Sequence, residues 1–307
     1  MSNVFTSSEY NVALTDELDK AVVQRAQTGF FADHKLRAKF IGKKTVAIPE
    51  MGLQGLADYN RVDGFISGVV NVDATPFTLQ MDRGRSFQID REDADESGIA
   101  DLAGQVAAEF VRTQVIPEVD AYVLSKLAGV SLLAGAGQAV TGNPASDAYK
   151  MLKEAQQKAQ DAVGYDEELV AFVNGTFMAA LQATPEISRH LVINDFKRGE
   201  LHSKVTSLDG MSILPVQSNR MKTAYTFNDG ETGGQEAGGF TPTEAAKSIG
   251  LLVVPKRAAA LIKKTVETRT YTPKQNLNAD AWKVDYRIYY DLVVRESLKQ
   301  GIVSYTY

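Results

Sequence analysis

"AWKVDYRIYYDLVVRESLKQGIVSYTY", residues 281–307, holds two strand-like runs separated by a turn-sized break. In the first run Trp282, Val284, Tyr286, Ile288 and Tyr290 alternate with Lys283, Asp285, Arg287, Tyr289 and Asp291. A period of two marks a half-buried strand. The alternation puts Trp282 on the buried face and Asp291 on the other. "RESLKQG" makes the break, and "IVSYTY" is a second β-branched and aromatic run. Chain ends usually fray into polar residues. This one reads as tied into a sheet.

Working outward, the 307 residues suggest one large domain or two smaller ones, and 44 % hydrophobic with 23 % charged residues is ordinary for a chain that buries a core. A net charge of −5 offers no overall basic field for wrapping nucleic acid. The absence of cysteine excludes disulfides, thiolate metal sites and cysteine nucleophiles. Glu9, Asp16, Glu17 and Asp19 near the start argue against a secretory signal. The longest uncharged run, 127–146, is rich in glycine and hydroxyls and reads as a helix end and loop, not a membrane span. The expectation is a soluble protein.

From residue 1 to about 35 the chain reads as a polar arm with a short helix near "LTDELDKAVVQRAQTG". "KKTVAIPEMGL" is a strand broken by Pro49, and "QGLADYNRVDG" a loop. Phe77, Leu79 and Met81 alternate, then Phe87 and Ile89, so "DRGR" (82–85) reads as a hairpin turn with Gly84 free to take positive φ. Ile99, Leu102, Val106, Phe110, Val115, Val119, Tyr122 and Leu127 form a helical stripe, capped by Ser97. Such a helix would be ~45 Å long, and Pro117 predicts a kink or break in it. "SDAYKMLKEAQQKAQDAVG" is a helix between Ser146 as cap and Gly164, "ELVAFV" a strand, and "GTFMAALQATPEISRH" a helix. Two strands flank the Asp209-Gly210 turn, "NDGETGGQEAGG" is a flexible loop, "TPTEAAKSIG" a short helix, and "LLVVPKRAAALIKKTVETRTYTP" strand-rich.

Chemistry is sparse. His34, His190 and His202 show no metal-ligand spacing. "GQAVTGNP" (137–144) matches half of a nucleotide-binding loop, but Asn143 and Pro144 stand where Lys and Ser or Thr would hold phosphate and magnesium. A calcium loop starting at Asp93 fails at Gly104, where a bidentate Glu is required. The acidic run there suits a helix N-terminus. No residue is assigned a catalytic, cofactor-binding or metal-binding role. What remains is an arm, a hairpin, a strut helix and a tied-down end, which are features for contacting other copies.

"FTLQMDRGRSFQIDREDADESG", "AAEFVRTQVIPEVDAYVLSKLAG", "VPKRAAALIKKTVETRTYTP" and "DAWKVDYRIYYDLVVRESLKQGIVSY", in that order, resemble the major capsid proteins of tailed bacteriophages with the Hong Kong 97-type fold. The resemblance implies an α+β chain with an N-terminal arm (1–38), an extended β-hairpin loop lying over a neighbour (39–96), a peripheral domain with a long spine helix (97–130 and 246–307) and an axial domain (131–245). Residues 282–307 would then complete the peripheral sheet. It also implies an icosahedral shell of pentamers and hexamers around phage double-stranded DNA bound without sequence specificity, with a portal protein. Many members begin with a scaffolding segment that is cleaved off, whereas here the arm starts almost at once: either scaffolding is a separate protein, which Met1 favours, or this is a processed form. No membrane contact is expected. Location would be the virion, and the host cytoplasm during assembly. Lys43 and Lys44 are candidates for a lysine–asparagine crosslink without a context that assigns one. The alternatives are a cellular encapsulin-type shell of the same fold and, third, an enzyme acting on phosphate through "GQAVTGNP".

Overall fold

A strand buried on both faces needs an unbroken apolar run, whereas one with a single buried face needs alternation. The chain contains both. The computed structural model describes residues 7–32, 39–40, 45–61, 64–92, 102–133, 137–184, 192–198 and 201–307. His34, Lys43, Lys44, the 93–98 acidic run with Ser97, Ile99 and His190 lie outside them.

Helix α1 spans Ser7–Arg25, followed by a 3-10 turn at Gly29–Ala32. Strands β1 (Lys39–Phe40), β2 (Thr45–Leu53), β3 (Val70–Thr78) and β4 (Met81–Asp90) come next. Helix α2 (Leu102–Phe110) runs through a π-helical stretch, Val111–Val115, into α3 (Ile116–Leu132). Then follow β5 (Gln138–Ala139), α4 (Pro144–Val163), β6 (Leu169–Asn174), α5 (Gly175–Ala183), β7 (Val192–Arg198), β8 (Leu201–Leu208) and β9 (Met211–Val216). The last are β10 (Tyr225–Phe227), β11 (Phe240–Pro242), β12 (Ile249–Pro255), β13 (Ala259–Tyr271), β14 (Ala281–Val294) and β15 (Val303–Thr306).

The largest sheet has the order β5-β15-β12-β6-β9-β8-β7, with parallel pairs at β6–β9 and β15–β5 and antiparallel pairs elsewhere. Val170 and Phe172 face one core with α1 and α3, and Ala171 and Val173 face a second core with α4 and α5. Two-sided burial explains why "LVAFV" shows no alternation. The Asp209-Gly210 turn has φ of 47° and 81°, the left-handed pair that a two-residue hairpin between β8 and β9 requires.

The two terminal runs part company. β14 is the middle strand of a three-stranded sheet, β13-β14-β4, while β15 pairs with β12 and β5 in the large sheet. They therefore do not complete one sheet. The end is nonetheless tied: Tyr307 and Ser248 exchange both backbone hydrogen bonds, at 2.9 and 3.0 Å. Val284, Tyr286, Ile288 and Tyr290 face the core as the alternation predicts. Trp282 does not share their burial. It pairs with Ile89, which is half-buried too, and packs only partly against the core.

"DRGR" is not a turn. Residues 82–85 lie inside β4, with Gly84 opposite Arg287 and Arg85 opposite Tyr286, and Gly84 has no positive φ. A Cβ at 84 would come within 2.8 Å of the Tyr286 carbonyl oxygen, so the glycine serves close strand approach. The hairpin is instead β2–β3, in register from Thr45↔Thr78 to Leu53↔Val70. Pro49 does not break β2. It sits opposite Ala74, beyond the last described β1 pair at Ala47, where an edge tolerates a missing N–H.

Pro117 interrupts the strut helix without ending it. Its missing N–H falls just after the stretch where the ladder lengthens, with Ile116 N–H donating to the Val111 carbonyl. Before that stretch the buried stripe is Ala103, Ala107 and Val111, and Val106 and Phe110 are only half-buried. Other local readings change as well. Asn143, not Ser146, caps α4, its side chain accepting from Ala145 N–H. Gly164 ends that helix at φ 92°. "TPTEAAKSIG" forms the end of β11, a turn and the start of β12 rather than a helix. The arm's helix is longer than expected and is docked, with Leu18 and Val22 buried in the first core.

Candidate assembly surface

The β2–β3 hairpin has a buried base and an exposed end. At the base, Val46 and Leu79 pack with Tyr289 and Val293 in a small cluster on the far face of β14. Leu79 and Gln80 are the whole link between β3 and β4. Tyr289 Oη donates to the Leu79 carbonyl at 3.0 Å, and Gln80 N–H donates to Asp291 at 3.0 Å.

Asp291, on the outward position of the alternation, is completely buried. It accepts from Tyr122 Oη at 2.6 Å, Lys126 Nζ at 2.5 Å and Leu292 N–H at 2.7 Å. A buried carboxylate needs this degree of satisfaction, because an unpaired one costs several kcal/mol, order of magnitude. Lys126 also lies 4.7 Å from the centroid of the Phe77 ring. Burial, then the Asp291 carboxylate, pushes the Tyr122 phenol well above its ordinary value. One carboxylate thus joins α3, β14 and the root of the hairpin.

Beyond the base, pairing continues but burial stops. Leu53, Leu56, Phe65, Ile66, Val70 and Val72 are all exposed, Leu56 and Phe65 almost entirely. Leu53, Val70, Asn71 and Val72 are exposed in succession along the two strands, so neither face is covered there. At the tip Tyr59 and Phe65 rings meet at 4.9 Å, and Asn60 and Gly64 exchange backbone hydrogen bonds. Large apolar side chains gathered on one exposed segment mark an interaction surface. The available sequence signal was the large apolar residues of "QGLADYNRVDG", which reads as loop, and of "FISGVVNVD", which reads as strand.

Two further networks fix what the hairpin is mounted on. Arg83 makes a two-pronged pair with Glu118 at 2.8 and 3.2 Å and donates to the carbonyls of Asn228 and Gly239. Arg85 donates to the Glu236 carbonyl. The glycine- and acid-rich loop is therefore a hydrogen-bonded β10–β11 connection. Asp229 within it accepts from Glu231 N–H, Thr232 N–H and the Thr232 hydroxyl. Those bonds, Thr232's first, hold its carboxyl down to about 2. Asp120, fully buried, accepts from Gln27 N–H, Thr28 N–H, the Thr28 hydroxyl and Arg220, and so fastens the end of the arm to α3. Burial pushes the Asp120 carboxyl up, and its hydrogen bonds and Arg220 oppose that.

The half-matched nucleotide loop has other work. Gln138–Ala139 is strand β5, and Asn143 and Pro144 start α4. His202 lies in β8. Among the described residues no group of three or more His, Cys, Asp or Glu could hold a metal ion, and no helix is long and apolar enough to cross a membrane.

No family model matches this sequence, and no curated protein matches it. Solved structures do. A chain from the capsid structure of the cyanophage P-SCSP1u aligns at TM-score 0.57 and 13 % identity, over 87 % of this chain and 84 % of that one. One from the mature capsid of bacteriophage PhiM1 aligns at 0.54 and 15 %, over 86 % and 82 %. One from a virus-like particle of Pyrococcus furiosus aligns at 0.55 and 11 %, over 97 % and 99 %. At these identities the likeness shows the fold: the chain has the Hong Kong 97-type fold.

Proposed function

We propose that this chain is the major capsid (head) protein of a tailed phage, assembling into an icosahedral shell around double-stranded DNA. The observation that carries the reading is the β2–β3 hairpin. Its root is bolted into the body by Asp291 and Tyr289, while its outer end exposes Leu53, Val70 and Val72 on one face of the ladder and Leu56, Phe65 and Ile66 beyond it. Apolar surface of that extent is stabilised only when a partner covers it. In a shell the partner is a neighbouring copy, and many weak contacts sum through multivalency. The role is structural, not enzymatic. The partners proposed are other copies in pentamers and hexamers, a separate scaffolding protein, a portal protein, and DNA held without sequence specificity.

The proposed division is an arm at 1–38, an extended loop at 39–96 whose last strand, β4, joins the peripheral sheet, and a peripheral body built on α2, α3 and the β13–β14 pair. The axial body is the seven-stranded sheet with α4 and α5. Because β12 and β15 belong to that sheet, we place them with the axial body.

Electron microscopy of the purified protein at high concentration, with scaffold supplied, is expected to reveal closed shells. Limited trypsin should cut free subunits first at Arg61, near the exposed tip, and shells should resist there. Arg83 and Arg85, inside β4, should resist in both forms. A strictly monomeric sedimentation profile across concentration and salt would falsify the reading. A second reading, a cellular shell of the encapsulin type, is favoured by the near end-to-end likeness to the Pyrococcus furiosus particle. Particles holding an enzyme in place of DNA would select it.

A further inference from the structure

β13 is an outer strand of the β13-β14-β4 sheet. An outer strand presents alternate N–H groups with no ladder partner, which is a template for adding a strand from another chain. Here two of those groups are taken. Thr268 N–H donates to Thr15 Oγ1 of α1 at 3.1 Å, and Thr270 N–H donates to Asn11 Oδ1 at 3.1 Å. The Thr270 hydroxyl donates to Asn11 Oδ1 as well, at 2.5 Å. Thr15 Oγ1 can accept because its own proton goes chiefly to the Asn11 carbonyl, at 2.7 Å. Asn11 and Thr15 are four residues apart, one helical turn, whereas Thr268 and Thr270 are two apart on the strand. One turn of helix (~6 Å) and two strand residues (~6.8 Å) span similar distances, so the two acceptors match two successive outward donors. Asp19 pairs with Lys263 one turn further on, and Leu18 and Val22 bury their side chains beneath.

We propose that α1 is an edge cap: with Asn11 and Thr15 it occupies the outward N–H groups of Thr268 and Thr270 in β13 and prevents this stretch of the edge from adding a strand of a second copy of the chain. A helix lying across the edge satisfies the donors without offering a new edge of its own. The proposal does not rest on shell formation. It concerns dispersed subunits, and it predicts an aberrant edge-to-edge contact when the cap is removed.

The absence of cysteine makes the test clean. Arg269 is exposed on β13, so Arg269→Cys places one thiol beside the edge. That variant is compared with Asn11→Ala/Thr15→Val/Arg269→Cys, at concentrations where subunits stay dispersed, using a short bis-maleimide crosslinker. Removing the two acceptors should speed amide exchange at Thr268 and Thr270 at least tenfold and raise crosslinked dimer at least fivefold. Asn11→Asp/Thr15→Ser, which keeps both acceptors, should return both readouts to the starting values. Unchanged exchange would show that α1 is not the cap. Faster exchange without dimer would show that the edge needs no guarding. Either overturns the proposal. If the double variant loses its native circular dichroism, Thr15→Val alone, which removes one acceptor and keeps the shape, carries the same readouts.

Discussion

Two long hairpins in this chain use the same antiparallel ladder and end in opposite states. β13–β14 pairs from Ala259↔Val294 to Tyr271↔Lys283, and α2, α3 and α1 cover one of its faces. β2–β3 pairs from Thr45↔Thr78 to Leu53↔Val70, and among its described side chains only those at the root are buried. Backbone pairing is satisfied in both, so it does not distinguish them. Side-chain burial does. The first hairpin is stabilised within the subunit, and the second leaves its apolar surface to be buried elsewhere. Net stability comes mainly from burial, because hydrogen bonds to the chain largely replace hydrogen bonds to water.

The strongest way to break this contrast is at the point where the two hairpins meet. Asp291→Ala removes the acceptor for Tyr122, Lys126, Gln80 and Leu292. The loss should be about 3–5 kcal/mol, as for a buried pair deprived of one partner. Urea unfolding monitored by Trp282 fluorescence would measure it. A loss under about 1 kcal/mol, the range of an exposed pair, would mean the network is not closed to water. Gly84→Ala comes next. Its Cβ would press on the Tyr286 carbonyl from inside a paired strand, and about 1–3 kcal/mol is expected. An unchanged denaturation midpoint would return Gly84 to an ordinary strand position.

At the outer hairpin the sign of the argument reverses. Phe65→Ser should leave subunit stability within about 0.5 kcal/mol, as at exposed sites, yet remove shell formation in microscopy. A large drop in subunit stability would show that the tip is already buried within its own chain. The smallest effect is at Asp229. Its folded carboxyl is held down to about 2, so protonation opposes the loop's hydrogen bonds. The contribution is complete above the ordinary aspartate range and lost as pH falls toward 2. Carboxyl NMR should place the midpoint near 2. A midpoint at the usual aspartate value would show that the Thr232 and Glu231 bonds are not held in solution.

Much of this was legible in the residues alone. The alternation of 284–290, the Asp209-Gly210 turn, the α4 segment with its terminal Gly164, and the apolar "LVAFV" run each specify local backbone geometry, which φ/ψ preference and hydrophobic period encode within a few residues. Partners are another matter. A glycine between two strand-like runs suits a turn or a close strand approach equally, and only the pairing of β4 with β14 assigned Gly84 to the second. An aspartate at an outward position suits water or a buried network, and only the arrival of α3 and Gln80 made Asp291 central. Trp282 kept its place in the alternation but lost its cover, because period sets the face and not what lies over it. The sequence by itself determined which segments become strands and helices. Which strands share a sheet, and which apolar surface is left without cover, was decided by contacts between residues more than two hundred positions apart, which no local preference contains.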